Sequence, residues 1–287
     1  MYNFKRWMVG LDFTVMDQTL IEYTAFLAHF IRPDKIYFVN VQEDLDVPDD
    51  LRREFEALET PRDELLCKEM EEEVLKYFPS YKDYDGEFQV IEGSPMKEML
   101  RWTHIKNIDL LITGRKKVMN GSGVVPQQLA RKISCSILFV PEEVEYSLNN
   151  LLVPTDFSDQ SMMALEVAAS IARRNDQANL YSLHCYTVPK GYYRTGKTEE
   201  QFAAIMLKHA KNNCSRFLKK FSNEGEESVE VEPLFVYDEQ RHHAGQLINE
   251  QAKAVNADMV VIGARGRTDF AAIFLGSTAE KLLLTNS

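Results

Sequence analysis

Glycine and hydroxyl residues recur at a fixed spacing near the end of the chain. Two residues separate Gly263 from Gly266, and nine more precede Gly276, which is followed directly by Ser277 and Thr278. Glycines at a strand end let the backbone turn tightly and approach a phosphate with no Cβ in the way. A glycine that opens a helix adds free N–H groups and the positive end of the helix dipole. The spacing therefore predicts a site for the phosphates of a small ligand.

An apolar run, ADMVVIG at residues 257–263, predicts a buried strand directly before these glycines. Two glycines alone would more often do no more than end a strand and begin a helix, since glycine is common in loops. The complete spacing behind a buried strand favours the phosphate site. Arg265 and Arg267 flank Gly266, where a cation would offset phosphate charge or, equally well, lie in solvent.

The elements that would position this site occur twice in the chain. Residues 7–14 read WMVGLDFT and residues 151–158 read LLVPTDFS, and each is an apolar strand ending in aspartate, phenylalanine and a hydroxyl residue. Residues 108–114 read IDLLITG, and their final glycine stands 149 positions before Gly263. An internal repeat of this kind indicates one domain that has been duplicated.

Short apolar runs alternate with longer stretches of helical period in both halves, as in β-α-β units around a parallel sheet. The predicted class is therefore α/β, with Rossmann-like domains at residues 1–146 and 147–287, each a mostly parallel five-stranded sheet flanked by helices. Strands are predicted at 7–11, 35–41, 87–91, 110–113 and 136–140, and in the second copy at 151–155, 178–185, 229–236 and 259–262.

Helices are predicted at 17–30, 49–77, 160–173 and 198–221. Thr14, followed three residues later by Asp17, fits a capping box at the start of the first helix. A shift of 149 residues carries the strand at 136–140 to the end of the sequence and beyond. We therefore expect the last strand of the second copy to be missing.

Charge and cysteine usage limit the classes of partner and compartment. The chain carries 44 acidic and 33 basic residues, a formal charge of −11, and its average field repels nucleic acids and anionic membranes. The four cysteines are widely spaced and fit free thiols in a reducing compartment. The sequence has no signal-peptide pattern and no apolar run of about 20 residues. We expect a cytoplasmic protein with no nucleic-acid or membrane partner.

The spacing GxxGx9G(S/T) behind such a strand, together with VPTDFS at residues 153–158, resembles the ATP-binding motif of the universal stress protein family. The likeness covers nearly the whole chain. It implies two UspA-like domains in tandem, of the adenine nucleotide alpha hydrolase-like fold, with ATP as the ligand, with or without Mg²⁺.

The resemblance also assigns roles to residues of the second copy. It places the residues at the end of the first strand beside the adenosine. A residue after the second strand would contact the adenine through its backbone, and the glycines and hydroxyl residues would lie along the ribose and phosphates. The residue that contacts the adenine would be Cys185 or, alternatively, His184. Arg265 is included because its positive charge would offset phosphate charge. The implied ligand-binding residues are Pro154, Thr155, Asp156, Cys185, Ile262, Gly263, Arg265, Gly266, Gly276, Ser277 and Thr278.

The first copy departs from this motif. Gly114 is kept, but a shift of 149 positions places Lys117, Gln127 and Gln128 opposite the second glycine, the third glycine and the serine. Their side chains would fill the space that phosphates need, so the first copy is predicted to be a degenerate site and the chain to bind one ATP. Residues 120–123, with basic residues beside them, could still form a small anion-binding nest.

Other sequence patterns narrow the chemistry. No GxGxxG, GxxxxGK(S/T) or GxSxG motif is present, which argues against a dehydrogenase, a Walker-type NTPase and an α/β-hydrolase. His242 and His243 are adjacent and lack a third ligand at helical spacing, so no metal site is predicted. We predict no catalytic residues and at most slow ATP hydrolysis.

Two classes of function stay open at this point. One is a nucleotide-binding stress-response or sensor module, and the other is an interaction scaffold that keeps the fold without a ligand. The resemblance implies that domains pair through their last strands, here the first copy with the second, and a homodimer of tandem chains is also compatible. The stress, the downstream partner, and the choice between ATP and other adenine nucleotides are not readable from the sequence.

Overall fold

The computed structural model describes residues 4–44, 61–115, 124–224, 229–240, 242, 244–264, 276, 278–279 and 282. The chain divides into two compact units, Asn3–Tyr146 and Ser147–Ser287. Strands and helices alternate along both units, as expected for an α/β fold. None of the described helices is long and apolar enough to cross a membrane.

The first unit contains five strands and four α-helices in its described part. In chain order these are β1 Arg6–Gly10, α1 Met16–Ile31, β2 Lys35–Gln42, α2 Arg62–Tyr77, β3 Gly86–Glu92, α3 Pro95–Ile105, β4 Leu110–Arg115, α4 Val124–Lys132 and β5 Ser136–Pro141. The strands form one parallel sheet in the order β3-β2-β1-β4-β5.

The second unit repeats this order of elements. They are β6 Asn150–Pro154, α5 Asp159–Ala172, β7 Asn179–Tyr186, α6 Glu199–Glu224, β8 Val231–Tyr237, α7 Ala244–Ala254 and β9 Met259–Val260. Its sheet is also parallel, in the order β8-β7-β6-β9. Four strands are present in the described part of this unit, so the predicted fold class and the missing fifth strand are confirmed.

The central strands are continuous apolar runs because both faces of each sheet are covered. Successive side chains of a strand point to opposite faces. Trp7, Met8 and Val9 of β1 are nevertheless all fully buried, as are the residues Leu151, Leu152 and Val153 of β6. Helices therefore pack on both sides of each sheet, the arrangement typical of parallel α/β folds.

One face of each sheet carries a core cluster with the same plan in the two units. In the first unit, Met8 of β1 packs with Leu111 of β4 and Leu129 of α4. In the second unit, Leu152 of β6 occupies the place of Met8 and packs with Leu282. The repeat in the sequence is thus a repeat of packing as well as of strand order.

Candidate functional site

The ends of three parallel strands meet at one edge of the second sheet. The chain passes from β6 outward to β7 and β8, and then returns to place β9 on the other side of β6. The register pairs Leu152 with Val260, and the N–H of Val261 continues the ladder with a 2.9 Å bond to the Leu152 carbonyl oxygen. Ligands of open α/β sheets bind beyond the carboxyl ends of the strands at such a change of direction. The turn after β6 and the segment after β9 lie at this position.

The turn after β6 is held by hydrogen bonds from its neighbours. The Thr155 N–H donates to the Leu183 carbonyl oxygen at 2.8 Å, and His184 Nδ1 lies 2.8 Å from the Thr155 carbonyl oxygen. Thr155 Oγ1 accepts the Phe157 N–H at 3.0 Å and donates to Ser161 Oγ at 3.0 Å. Thr155 is almost completely buried, so its hydroxyl holds the turn from the protein interior.

Asp156 links this turn to the start of α5. Its Oδ1 accepts the Ser158 N–H at 3.1 Å and the Ser158 hydroxyl at 2.5 Å. Ser158 is the N-cap of α5, and its Oγ accepts the Ser161 N–H at 3.3 Å. A carboxylate is favoured near the positive end of a helix. The carboxylate of Asp156 is thereby oriented at the strand edge, where the resemblance places the adenosine.

Pro154, Cys185 and Ile262 have buried or half-buried side chains at the same edge. Pro154 pairs with Leu183 in the β6–β7 register, and the side chains of Cys185 and Ile262 pack against the core cluster of Leu152. Burial, with a smaller contribution from Asp238, raises the pKa of the Cys185 thiol to about 11. Cys185 is therefore a neutral packing residue, and its backbone is the part of it that a ligand could contact.

The glycine motif is described at its two ends. The Gly276 N–H donates to the Ala264 carbonyl oxygen at 2.8 Å, which brings the end of the loop back to its beginning. Gly263 packs against the start of α5, where an added Cβ would lie 2.9 Å from both the carbonyl carbon and the oxygen of Gln160. Thr278 is helical. Three further predicted ligand-binding residues, Arg265, Gly266 and Ser277, lie outside the described residues.

The first unit builds the same turn from different residues. The Leu11 N–H bonds to Val39 O at 2.9 Å, and Asn40 Nδ2 donates to Leu11 O at 2.8 Å, the position that His184 Nδ1 occupies in the second unit. Phe13, like Phe157, has a positive φ, 58° against 64°. The local backbone has therefore been kept in both copies.

Asp17 replaces Ser161 in this comparison and changes the electrostatics of the turn. Its carboxylate accepts the Asp12 N–H at 3.1 Å and the Phe13 N–H at 2.7 Å. Only 6% of Asp17 is exposed, and burial is the main cause that raises its pKa to about 6, with the Asp12 carboxylate adding to the rise. Neither bond is the one a capping box requires, because the Asp17 carboxylate bonds to the N–H groups before Thr14.

Core packing corrects the alignment of the two glycine loops. Leu129 and Leu282 fill the same place in the two core clusters and are 153 positions apart, whereas the β4 and β9 strands are related by 149. The first loop is therefore four residues shorter. Gly123 precedes Leu129 by six positions, as Gly276 precedes Leu282. The expectation that Gln127 stands at the place of Gly276 is wrong, and Lys117 and Gly266 lie outside the described residues.

His242 bonds to a buried carboxylate just before α7. His242 Nδ1 lies 3.1 Å from Oδ1 of the buried Asp238, and the His242 N–H donates to the same oxygen at 2.9 Å. These bonds order the approach to α7. Among the residues that the structure describes, no three His, Cys, Asp or Glu side chains are close enough to hold a metal ion. His243 lies outside them.

Comparisons with known proteins agree with this architecture. The profile of the universal stress protein family matches residues 3–141 and again residues 148–285. Universal stress protein MJ0531 of Methanocaldococcus jannaschii is 27% identical over 133 residues, which span 46% of this chain and 74% of that protein.

Two solved structures share the fold over almost the whole chain. A universal stress protein from Archaeoglobus fulgidus has a TM-score of 0.64 at 17% identity and covers 98% of this chain and 95% of its own. A putative universal stress protein from Pseudomonas aeruginosa has a TM-score of 0.63 at 14% identity, covering 98% and 89%. The two family matches account for nearly every residue, and the chain belongs to the universal stress protein family, with two family domains in tandem.

Proposed function

We propose that this protein is an adenine-nucleotide-binding stress-response or sensor module, with ATP held at the strand edge of its second unit. The observation that carries the proposal is the bond from the Gly276 N–H to the carbonyl oxygen of Ala264, four residues after the end of β9. This bond places Gly276 beside Ala264, near the point where the sheet changes direction. The turn of Thr155 and Asp156 lies on the neighbouring strand, at the adenosine side of the proposed ligand.

The proposed contacts follow from what each group can donate or accept. Asp156 would accept hydroxyl groups of the ribose, since a carboxylate is an acceptor only. Backbone N–H groups beside Gly263 and Gly266 would approach the phosphates, and Ser277 and Thr278 would add hydroxyl donors at the start of a helix. Arg265 would offset part of the phosphate charge.

A dedicated catalytic role is not part of the proposal. Phosphoryl transfer needs groups that orient the attacking water and hold the metal ion. Asp156 is the carboxylate linked to the motif, and it belongs to the sugar side of the proposed site. Slow hydrolysis is compatible with this arrangement, and bound ATP would act chiefly by changing the contacts of the protein.

A scaffold without a ligand is the second candidate, and the packing of Gly263 favours it. An added Cβ would lie 2.9 Å from the backbone of Gln160, so this glycine is needed for packing whether or not a nucleotide binds. Gly276 is the residue that the motif assigns to the phosphates. We expect the two candidate functions to differ in what they require at this position.

Calorimetric titration of the purified chain with ATP, with and without Mg²⁺, tests the proposal. We expect about one ATP per chain for the wild type and none for Gly276→Val, because the added side chain would fill the phosphate space. Gly123→Val is the matched variant of the first unit and should leave binding unchanged. Titrations with ADP, AMP and cAMP would show which adenine nucleotide the chain prefers. One solved universal stress protein is in complex with cAMP.

Three outcomes separate the candidate functions. Absence of binding by the folded wild-type chain would leave the scaffold. Two ATP per chain, with one lost in Gly123→Val, would show that the first unit also binds nucleotide. Unchanged binding by Gly276→Val would mean that the ligand lies elsewhere.

Assembly and location belong to the same proposal. We include pairing of the first copy with the second through their last strands, a homodimer of whole chains, and a cytoplasmic location. The resemblance to the family supports the pairing, and the charge of −11 argues against nucleic-acid and membrane partners. Sedimentation velocity that gives a monomer at all concentrations would contradict the homodimer.

A further inference from the structure

We propose that the second unit has another ligand site, separate from the nucleotide site, for a small molecule that combines an aromatic ring with one anionic group. A cavity of about 350 Å³ lies between the start of α5 and the middle of α6. None of its lining residues is among the predicted nucleotide-binding residues. The lining includes Phe157, Asp159, Met162, Arg216, Phe217 and Lys220.

Aromatic and apolar side chains form one part of the lining. The rings of Phe157 and Phe217 meet edge to face, with centroids 5.7 Å apart, and the other neighbour of Phe157 is the His184 ring at 4.3 Å. Phe217 and Met162 are buried, so their positions are fixed by packing. A flat ring could extend this array, because aromatic rings pair favourably at centroid distances of about 4.5–7 Å.

Two cationic side chains of α6 form the other part. Arg216 and Lys220 are four residues apart and therefore lie on the same face of the helix. Lys220 is bridged to Asp159 at 3.2 Å, but the Asp159 side chain is 92% exposed, so water screens this pair. Within the described part of the chain Arg216 has no ion-pair partner. A guanidinium group in this state is suited to a carboxylate or phosphate.

Size and charge together define the class of ligand. The volume lies at the small end of the range of ligand sites, about 300–1,000 Å³. One ring with one anionic substituent fits it. The two cations outnumber the single acid of the lining. A cationic ligand is disfavoured for the same reason.

Phenyl phosphate is a suitable probe, titrated into the full chain and followed by ligand-observed NMR. We expect saturable binding to the wild type, weakened about tenfold by Arg216→Gln, the loss expected for one charge-assisted hydrogen bond. Lys219→Gln is the matched control, because it removes one charge from an exposed neighbouring position outside the cavity. Arg216 is exposed, so its replacement should not unfold the protein.

Further probes and variants separate this site from the nucleotide site. Benzyl alcohol, which lacks the charge, and inorganic phosphate, which lacks the ring, should each bind more weakly than phenyl phosphate. Gly276→Val should bind phenyl phosphate as the wild type does. Absence of binding, an equal effect of Arg216→Gln and Lys219→Gln, or loss of binding in Gly276→Val would each overturn the inference.

Discussion

At the scale of single residues, the two copies differ in the buried side chain that bonds to the turn after their first strand. Ser161 and Thr155 share a neutral hydroxyl bond in the second unit, whereas a buried carboxylate, Asp17, accepts two N–H groups in the first. A neutral pair is indifferent to pH near neutrality. The carboxylate, with its pKa raised to about 6, makes the first unit sensitive to pH.

The sign of this effect follows from proton linkage. A carboxyl group with a higher pKa in the folded chain than in the unfolded chain holds its proton more tightly when folded. The free energy of unfolding therefore decreases as the pH rises from about 4 to about 6, and the loss persists above that range, to a total of roughly 3 kcal/mol.

We expect Asp17→Asn to remove this loss, since an amide does not titrate. The unfolding free energy of the variant minus that of the wild type should rise by roughly 2–3 kcal/mol between pH 4 and pH 7. Urea unfolding followed by tryptophan fluorescence measures it in the first unit, because both tryptophans, Trp7 and Trp102, lie there. Asp34→Asn, at an exposed carboxylate, is the control. A pH-independent difference for Asp17→Asn would contradict the role of its burial.

At the scale of elements, a strand end packs directly on a helix in both units. A Cβ added at Gly263 would lie 2.9 Å from the backbone carbonyl carbon and oxygen of Gln160. A Cβ added at Gly114 would lie 2.7 Å from Cγ of the Met16 side chain. Both distances are shorter than Cβ atoms in proteins make to non-bonded neighbours. A flexible side chain can move aside, but the backbone of a helix start cannot do so cheaply.

Gly263→Ala should therefore destabilise the second unit by about 1–3 kcal/mol, the usual cost of overpacking, and Gly114→Ala should destabilise the first unit by less. Urea unfolding followed by circular dichroism reports both units, and tryptophan fluorescence assigns the first. Equal losses, or a larger loss for Gly114→Ala, would show that the two contacts are equivalent.

Most elements could be predicted from the sequence, because a fully buried parallel strand is a continuous apolar run. All nine described strands match predicted ones, with ends shifted by at most two residues. Two short helices, α3 and α4, were not predicted, and of α7 only a helix start at His242 and His243 was indicated. Few residues of these helices are buried, as in the 11-residue α3, where Met99 is one of two. Packing against the sheet stabilises such helices more than their own sequence pattern does.

Side-chain bonding at the helix starts was less predictable. Thr14 and Asp17 have capping-box spacing, yet the Asp17 carboxylate bonds to Asp12 and Phe13 because the turn before the helix carries exposed N–H groups. The alignment of the glycine loops was also partly wrong. A uniform shift of 149 cannot detect a deletion inside a loop, and only the shared core position of Leu129 and Leu282 shows it.

At the scale of the whole molecule, duplication has produced two units with the same order of strands and helices. The residues at the carboxyl ends of their strands differ. The sequence correctly indicated the family, the tandem arrangement and the missing strand. The assignment of ligand residues stays a prediction. Pro154, Thr155, Asp156, Cys185 and Ile262 lie at one sheet edge with Gly263, but parts of the glycine loop lie outside the described residues.

Hydrogen exchange of the intact wild-type chain, measured by mass spectrometry with and without saturating ATP, tests most directly whether the second unit holds the nucleotide. We predict slower exchange on ATP binding in peptides covering residues 151–158 and 257–264, because the ligand would cover both strand ends. The equivalent first-unit peptides, residues 7–14 and 108–115, should not change. Protection of the first-unit peptides alone, or of neither pair, would contradict an ATP site in the second unit.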